Sequence, residues 1–291
     1  MKKRKIAVID VGSNSVRLML LADGKILYKK TKITRLGEGL ALTSFLTDEA
    51  MTRTLLQIEA FLAEAKEAGA NELYAYATAA VRSAKNGQEF VDRAKTLGVA
   101  LEVLSGEEEA RVGIVGALGE KDGGLLDIGG ASSELILQKS KRTVYETSVD
   151  VGVVRLKDVC GRDREKLTAY CREKVALYDG ALKVMVGLPL CAIGGTATTL
   201  AALALNLTEY DGEKVTGAVL TRQEIKDLTD RLFALSVEET AALPCVDEKR
   251  AQVLAGGALW LYEVLCYLAV DELTVSDCDN LDGYAKTRGF M

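Results

Sequence analysis

The stretch LLDIGGASSEL, Leu125 to Leu135, decides how this chain folds. An apolar run delivers Asp127. Gly129 and Gly130 then leave the backbone bare, Ala131 and Ser132 follow, and a second apolar run opens behind Glu134. Nearly the same pattern stands at residues 6–20, IAVIDVGSNSVRLML. With Asp10 laid on Asp127, Gly12 falls on Gly129, Ser13 on Gly130, Ser15 on Ser132, Arg17 on Glu134 and Leu18 on Leu135. One device used twice predicts an internal duplication, each copy needing its own strands and covering helices.

Outward from the first copy, IAVID and LMLLADGKILYKK read as strands joined by the Gly-Ser-Asn-Ser turn, with Asp23-Gly24 turning into a third. A helical pattern follows, with Thr47 as N-cap and Gly69 just past its end. ELYAYAT is a strand, residues 79–98 a helix interrupted near Asn86-Gly87, ALEVLS a strand and GEEEARVGIVGALG a helix. After the second copy, TVYETSVDVGVVRL reads as a further strand and turn. A helical stretch leads to the strand LCAIG and a helix from Thr196, then two more helices and a last strand, ELTVSD. The fold class is α/β, as a tandem repeat. Residues 1–120 form one domain and residues 121–291 a second, divided at the polar, glycine-rich GEKDGG.

A length of 291 residues, 48% hydrophobic and 27% charged, suits two globular cores and argues against disorder. Behind MKKRK the apolar stretch is broken at Asp10 and at Gly12-Ser13-Asn14, so it makes no signal-peptide core. No run approaches the roughly 18 apolar residues of a transmembrane helix, and no membrane association is expected. Six cysteines (Cys160, Cys171, Cys191, Cys245, Cys266, Cys278) show no C-x-x-C pair and read as reduced, mainly buried thiols of a cytoplasmic protein. The absence of histidine excludes His-ligated metals, Ser-His-Asp and Cys-His catalysis and phosphohistidine chemistry. Acid–base work then falls to carboxylates, lysine or tyrosine. A net charge of −5 argues against nucleic acid as a partner, but leaves room for a small phosphorylated substrate held by local N–H donors and arginine.

Each Asp-x-Gly turn lies between two strands, so neither is a dinucleotide fingerprint nor a P-loop. Gly12, Ser13, Asn14 and Ser15 in one turn, and Gly129, Gly130, Ala131 and Ser132 in the other, let backbone N–H groups converge on a small anion. A tight hairpin is the plain alternative for one such turn; two aligned turns favour the anion. In CAIGGTATTLAAL a strand runs through Gly194 and Gly195 into a helix from Thr196, whose free N–H groups suit phosphate, although Gly-Gly-Thr also serves as a simple cap. Asp127 and Glu134 supply hard oxygen ligands that suit Mg²⁺, with Asp10 adding an outer contact. The alternative places Glu134 on a solvent-facing strand position. In SGEEEAR, Ser105 and Glu108 make a capping box and Glu107 complements the helix dipole. Glu109 has no such local task and is the candidate general base for a water nucleophile. Arg82 follows a strand and a small-residue turn, placed to reach a phosphate or to form a surface ion pair.

Taken together, IDVGSNSVRL, RLGEGL, ATAAVRSAKN, SGEEEAR, LLDIGGASSEL, VGVVRL, IGGTATTLAAL and RAQVLAGGA resemble the exopolyphosphatase and guanosine pentaphosphate phosphohydrolase family of the actin, Hsp70 and sugar-kinase superfamily. They run in family order over nearly the whole chain. The resemblance implies two ribonuclease-H-like domains, a phosphate-binding cleft between them and hydrolysis of terminal phosphoanhydrides in polyphosphate or a phosphorylated guanine nucleotide. It implies Glu109 as the catalytic glutamate, Asp127 and Glu134 as metal ligands, Arg82 as a phosphate contact, three loops (Asp10 with Gly12 to Ser15, Gly129 to Ser132, Gly194 to Thr196) on phosphate, and a homodimer.

Two departures stand out. Ala131 replaces a third glycine, and VSDCDNLDG has Asp279 and Asn280 where the family shows Gly-Leu. The chain stops where longer members add a helical domain, which reads as a short, two-domain member. Alternatives of other classes are a phosphotransferase making ATP and a sensor that binds polyphosphate without cleaving it.

Overall fold

The structure, a computed structural model, describes residues 4–291. Strands β1 (Lys5–Val11), β2 (Ser15–Ala22) and β3 (Lys25–Ile33) pair antiparallel, and β4 (Glu72–Ala77) and β5 (Leu101–Val103) extend from β1 in parallel, giving the order β3-β2-β1-β4-β5. The second sheet comprises β6 (Gly123–Ile128), β7 (Ser133–Lys139), β8 (Arg142–Val149), β9 (Leu190–Ile193), β10 (Val219–Thr221) and β11 (Glu272–Val275), in the order β10-β11-β9-β6-β7-β8. Set aside β10, and the two sheets match strand for strand. The duplication read from the two Asp-x-Gly turns therefore extends to the whole sheet.

The local expectations mostly hold. Asp23 and Gly24 both have positive φ, as a two-residue hairpin turn requires. The Thr47 hydroxyl accepts from the Ala50 amide, and Gly69 takes φ 79° past the helix end. Absent from the sequence reading are β10, a three-residue edge strand, the last helix, Asn280–Thr287, and the short helices Leu40–Thr43, Gly212–Val215 and Val237–Ala241; the segment after β8 also departs from it. The sequence predicts strand and turn through VGVVRL, but the strand stops at Val149 and Val153–Cys160 is a helix. Its first amides, Val153 and Val154, bond to the Gly129 and Gly130 carbonyls. That tertiary contact overrides the weak helix propensity of paired valines.

Alternation along the central strands gives each sheet two different faces. In the first, Ala7, Ile9 and Val11 join a core with Leu18, Leu20, Ile58 and Phe61, under helices Asp48–Glu67 and Gly87–Thr96. In the second, Leu126, Ile128, Leu135 and Leu137 enter a larger core around the fully buried Trp260 of helix Ala251–Tyr267. The opposite faces look toward the middle of the molecule. They carry Ile6, Val8 and Asp10 on β1, and Leu125 and Asp127 on β6.

Two helices fill that middle, and each covers the sheet of the other half. Helix Gly106–Ala117 sets Ala110 and Ile114 against Leu125, Ile136, Cys191 and Ile193. Helix Asn280–Thr287 sets Leu281, Tyr284 and Ala285 against Ile6, Val8, Met19 and Tyr76, with Tyr284 stacked on Tyr76 at 4.5 Å. The helices cross so closely that a Cβ on Gly283 would collide with the Val112 carbonyl oxygen.

All six thiols are free; Cys160, Cys171 and Cys191 are buried, whereas Cys245, Cys266 and Cys278 are not. Among the described residues no helix is long and apolar enough to cross a membrane.

Candidate active site

Both turns close with the same bond: the Gly12 amide donates to the Ser15 carbonyl at 2.9 Å, and the Gly129 amide to the Ser132 carbonyl at 3.0 Å. Each turn is braced from behind. The Thr34 and Arg35 amides donate to the Asn14 carbonyl and the Gly37 amide to the Ser13 carbonyl, which gives the RLGEGL stretch its task. The amides of Val153 and Val154 do the same for the second turn. The loops then meet across the molecule, since a Cβ on Gly130 would stand 2.8 Å from the Ser13 Cβ and 2.9 Å from the Asn14 nitrogen. Only glycine permits that approach.

The third loop completes the enclosure. Helix Gly195–Ala204 starts at Gly194 with φ 89° and no side-chain cap, so its first amides remain available to an anion. These loops line a cleft of about 460 Å³ together with Asp10, Glu109 and Asp127.

Strand register explains where the carboxylates go. Asp10 lies opposite Arg17, and Asp127 opposite Glu134, each pair on the inner face of its sheet. Glu109 enters from the first turn of helix Gly106–Ala117, where Ser105 and Glu108 form the predicted capping box. It is 7% exposed, so the first turn's third acid does turn inward while Glu107 stays in solvent.

Arg82 reaches the site through Glu109 rather than through the loops. Its Nη1 donates to Glu109 Oε2 and to the Leu104 carbonyl, 2.8 Å each. Glu134 is buried behind the cleft wall and accepts from the Ser148 hydroxyl at 2.6 Å. It is not the solvent-facing residue of the alternative reading. Ala131 is also buried off the wall, with its carbonyl taken by Arg155 Nε at 3.0 Å.

Three residues that sequence reasoning missed also line the cleft. Arg17 Nε donates to Asp10 Oδ2 at 2.8 Å, and its Nη1 contacts Asp279. Asn280 Nδ2 donates to Asp127 Oδ2 at 2.9 Å. Arg250 approaches the third loop, with Nη1 donating to Thr199 Oγ1 at 3.2 Å. The hairpin register alone would have found Arg17. RAQVLAGGA contained Arg250 without pointing to it, and nothing local to Asn280 pairs it with a residue so distant in sequence.

The carboxylates repel one another. Burial raises Glu109 above the usual carboxylate range, and Arg82 pulls it part of the way back. Asp127 is pushed up to about 7, first by burial and then by the charge on Glu109. Glu134 is pushed up to about 8 by burial, then by Glu109 and Asp127. Burial also raises Asp10, against the pull of Arg17.

A divalent cation fits this donor set. Asp127 and Glu134 are opposed oxygen donors whose ionisation is held back by burial and mutual repulsion, which an incoming cation would relieve. Among the described residues no three His, Cys, Asp or Glu side chains converge to hold a metal unaided. Two carboxylates, with water and substrate oxygens making up the rest, is the manner in which Mg²⁺ binds phosphorylated substrates.

Exopolyphosphatase 2 of Mycobacterium tuberculosis is 31% identical over 97% of both chains. A protein of Vibrio vulnificus named guanosine-5'-triphosphate,3'-diphosphate pyrophosphatase is 30% identical over 93% of this chain, which spans 56% of its length. The crystal structure of the Aquifex aeolicus Ppx/GppA member, 30% identical, superposes with a TM-score of 0.78 over 99% of this chain and 98% of that one. The two sheets are thus ribonuclease-H-like domains of the actin type. The family described as Ppx/GppA phosphatase matches residues 8–280, which include all three loops and every carboxylate described above. The chain belongs to the Ppx/GppA phosphatase family.

Proposed function

We propose that this protein is an exopolyphosphatase, hydrolysing the terminal phosphoanhydride of inorganic polyphosphate, short chains above all, and releasing orthophosphate. The observation that carries this is one buried, arginine-held carboxylate, Glu109, facing a cleft walled by three amide-rich loops.

The loop amides hold the terminal phosphoryl group and stabilise the charge on its oxygens. Glu109 orients a water and accepts its proton as the water oxygen bonds to the terminal phosphorus. The bridging P–O bond breaks, and the shorter polyphosphate leaves with the electron pair. Asp127 and Glu134 would hold Mg²⁺, which supplies further neutralisation of the phosphoryl oxygens when bound.

A second reading, hydrolysis of guanosine pentaphosphate, rests on the likeness to the Vibrio relative, which is named for that chemistry. The deciding experiment measures phosphate release from tripolyphosphate, long polyphosphate and guanosine pentaphosphate, with Mg²⁺ and with a chelator. Fastest release from tripolyphosphate, lost on chelation, is the expected result. A preference for the nucleotide would select the second reading. Binding without release from any of the three would make the protein a sensor, and ATP formed from ADP and polyphosphate would make it a phosphotransferase.

Arg82 has its own signature. Arg82 lowers the pKa of Glu109, so Arg82→Ala leaves that carboxylate to rise further. A larger share is then protonated near neutrality, and the acid limb of the kcat/KM profile should move to higher pH. An unmoved limb in the active variant would separate Arg82 from the base.

A further inference from the structure

Asp279 sits where the cleft meets the helix Asn280–Thr287. Its Oδ1 accepts from the Leu281 amide at 2.9 Å as N-cap, while its Oδ2 meets Arg17 Nη1. The other side of the Arg17 guanidinium is held by Asp10. This cation on the cleft wall is therefore flanked by two carboxylates. Lys29, next along the same wall, is taken too, by Asp282 Oδ2 at 2.5 Å and the Asp277 carbonyl at 3.2 Å. Arg250, at the third loop, differs: the side chain it bonds is the neutral hydroxyl of Thr199. Of the cations lining the cleft, Arg250 thus bonds a hydroxyl, whereas Arg17 and Lys29 already bond carboxylates.

We propose that Asp279 is a specificity-determining residue: its carboxylate takes the place on Arg17 that a further phosphoryl group of the substrate would occupy. Substrates whose anionic chain runs past Arg17 meet a fixed negative charge, and those that end before it do not. This rests on the phosphoanhydride reading of the same cleft. Asp279 does not act on the reacting phosphorus.

Asp279→Asn tests it, because asparagine caps a helix as well as aspartate while removing the charge. The ratio of kcat/KM for long polyphosphate to that for tripolyphosphate should rise roughly tenfold, mainly through KM on the long chain. Calorimetric affinities for the two should move in the same sense. Asp279→Ser, which also caps, should reproduce the shift and covers the case in which the first variant folds poorly. A merely structural role would weaken both substrates alike. An unchanged ratio in turnover and affinity, or a fall for the long chain, overturns the proposal. Should the wild-type protein hydrolyse neither substrate, the functional reading fails, while the affinity ratio still decides this one.

Discussion

Glu109→Gln is expected to lower kcat for phosphate release from tripolyphosphate by roughly a thousandfold while leaving affinity for it nearly unchanged. Glutamine has the same shape, and its oxygen still accepts from Arg82 Nη1, so the helix and its neighbours stay in place. What disappears is the ability to take a proton from water. The two observables separate the roles: an interaction made only in the transition state shows in kcat, and one made throughout shows in KM. Phosphate-release kinetics beside calorimetric titration would read both. Full activity in the variant would remove Glu109 from this role and direct attention to Asp127, a carboxylate on the cleft wall that is pushed up to about 7. A second signature belongs to the same substitution. Because Glu109 is the foremost charge raising both Asp127 and Glu134, the variant should melt at a higher temperature than wild type in the absence of divalent cation.

Gly283→Ala should cost about 3 kcal/mol or more, because the added methyl falls on backbone rather than on a side chain that can swing away. For a protein of this size that corresponds to a fall in Tm of roughly 6–12 °C. Activity should fall further than stability alone explains. The helices forced apart are those that bring Glu109 and Asn280 to the cleft, and an error of an ångström at a reacting centre is costly. Gly106→Ala is the matched control, since a Cβ there meets nothing within 4 Å, and its Tm should stay with wild type. Equal melting of the two variants would mean that the crossing is looser than described.

Much of this was legible in the sequence because the decisive features are local. The turns at Gly12 and Gly129, the capping box at Ser105 and the inward acid at Glu109 each announce themselves within a few residues. The alternation that puts Asp10 with Ile6 and Val8, and Asp127 with Leu125, follows from the strand period. What escaped was long-range. The pattern of helix Gly106–Ala117 reveals an apolar side without revealing which sheet it will cover. Asp279 and Asn280 showed as a departure, yet their partners Arg17 and Asp127 lie far back in the chain. The Val153–Val154 error has the opposite cause: the local preference was read correctly, and a contact to the second loop outweighed it.

The exchange of covering helices also sets an order of events during synthesis. The inner face of the first sheet, with Ile6, Val8, Met19 and Tyr76, leaves the ribosome long before its partners Leu281, Tyr284 and Ala285 are made. At ordinary elongation rates that interval is on the order of tens of seconds. Throughout it an apolar sheet face stays incompletely covered, so the nascent first half is a natural client for a chaperone, and a ribosome stalled before Leu281 leaves a product that cannot close this core.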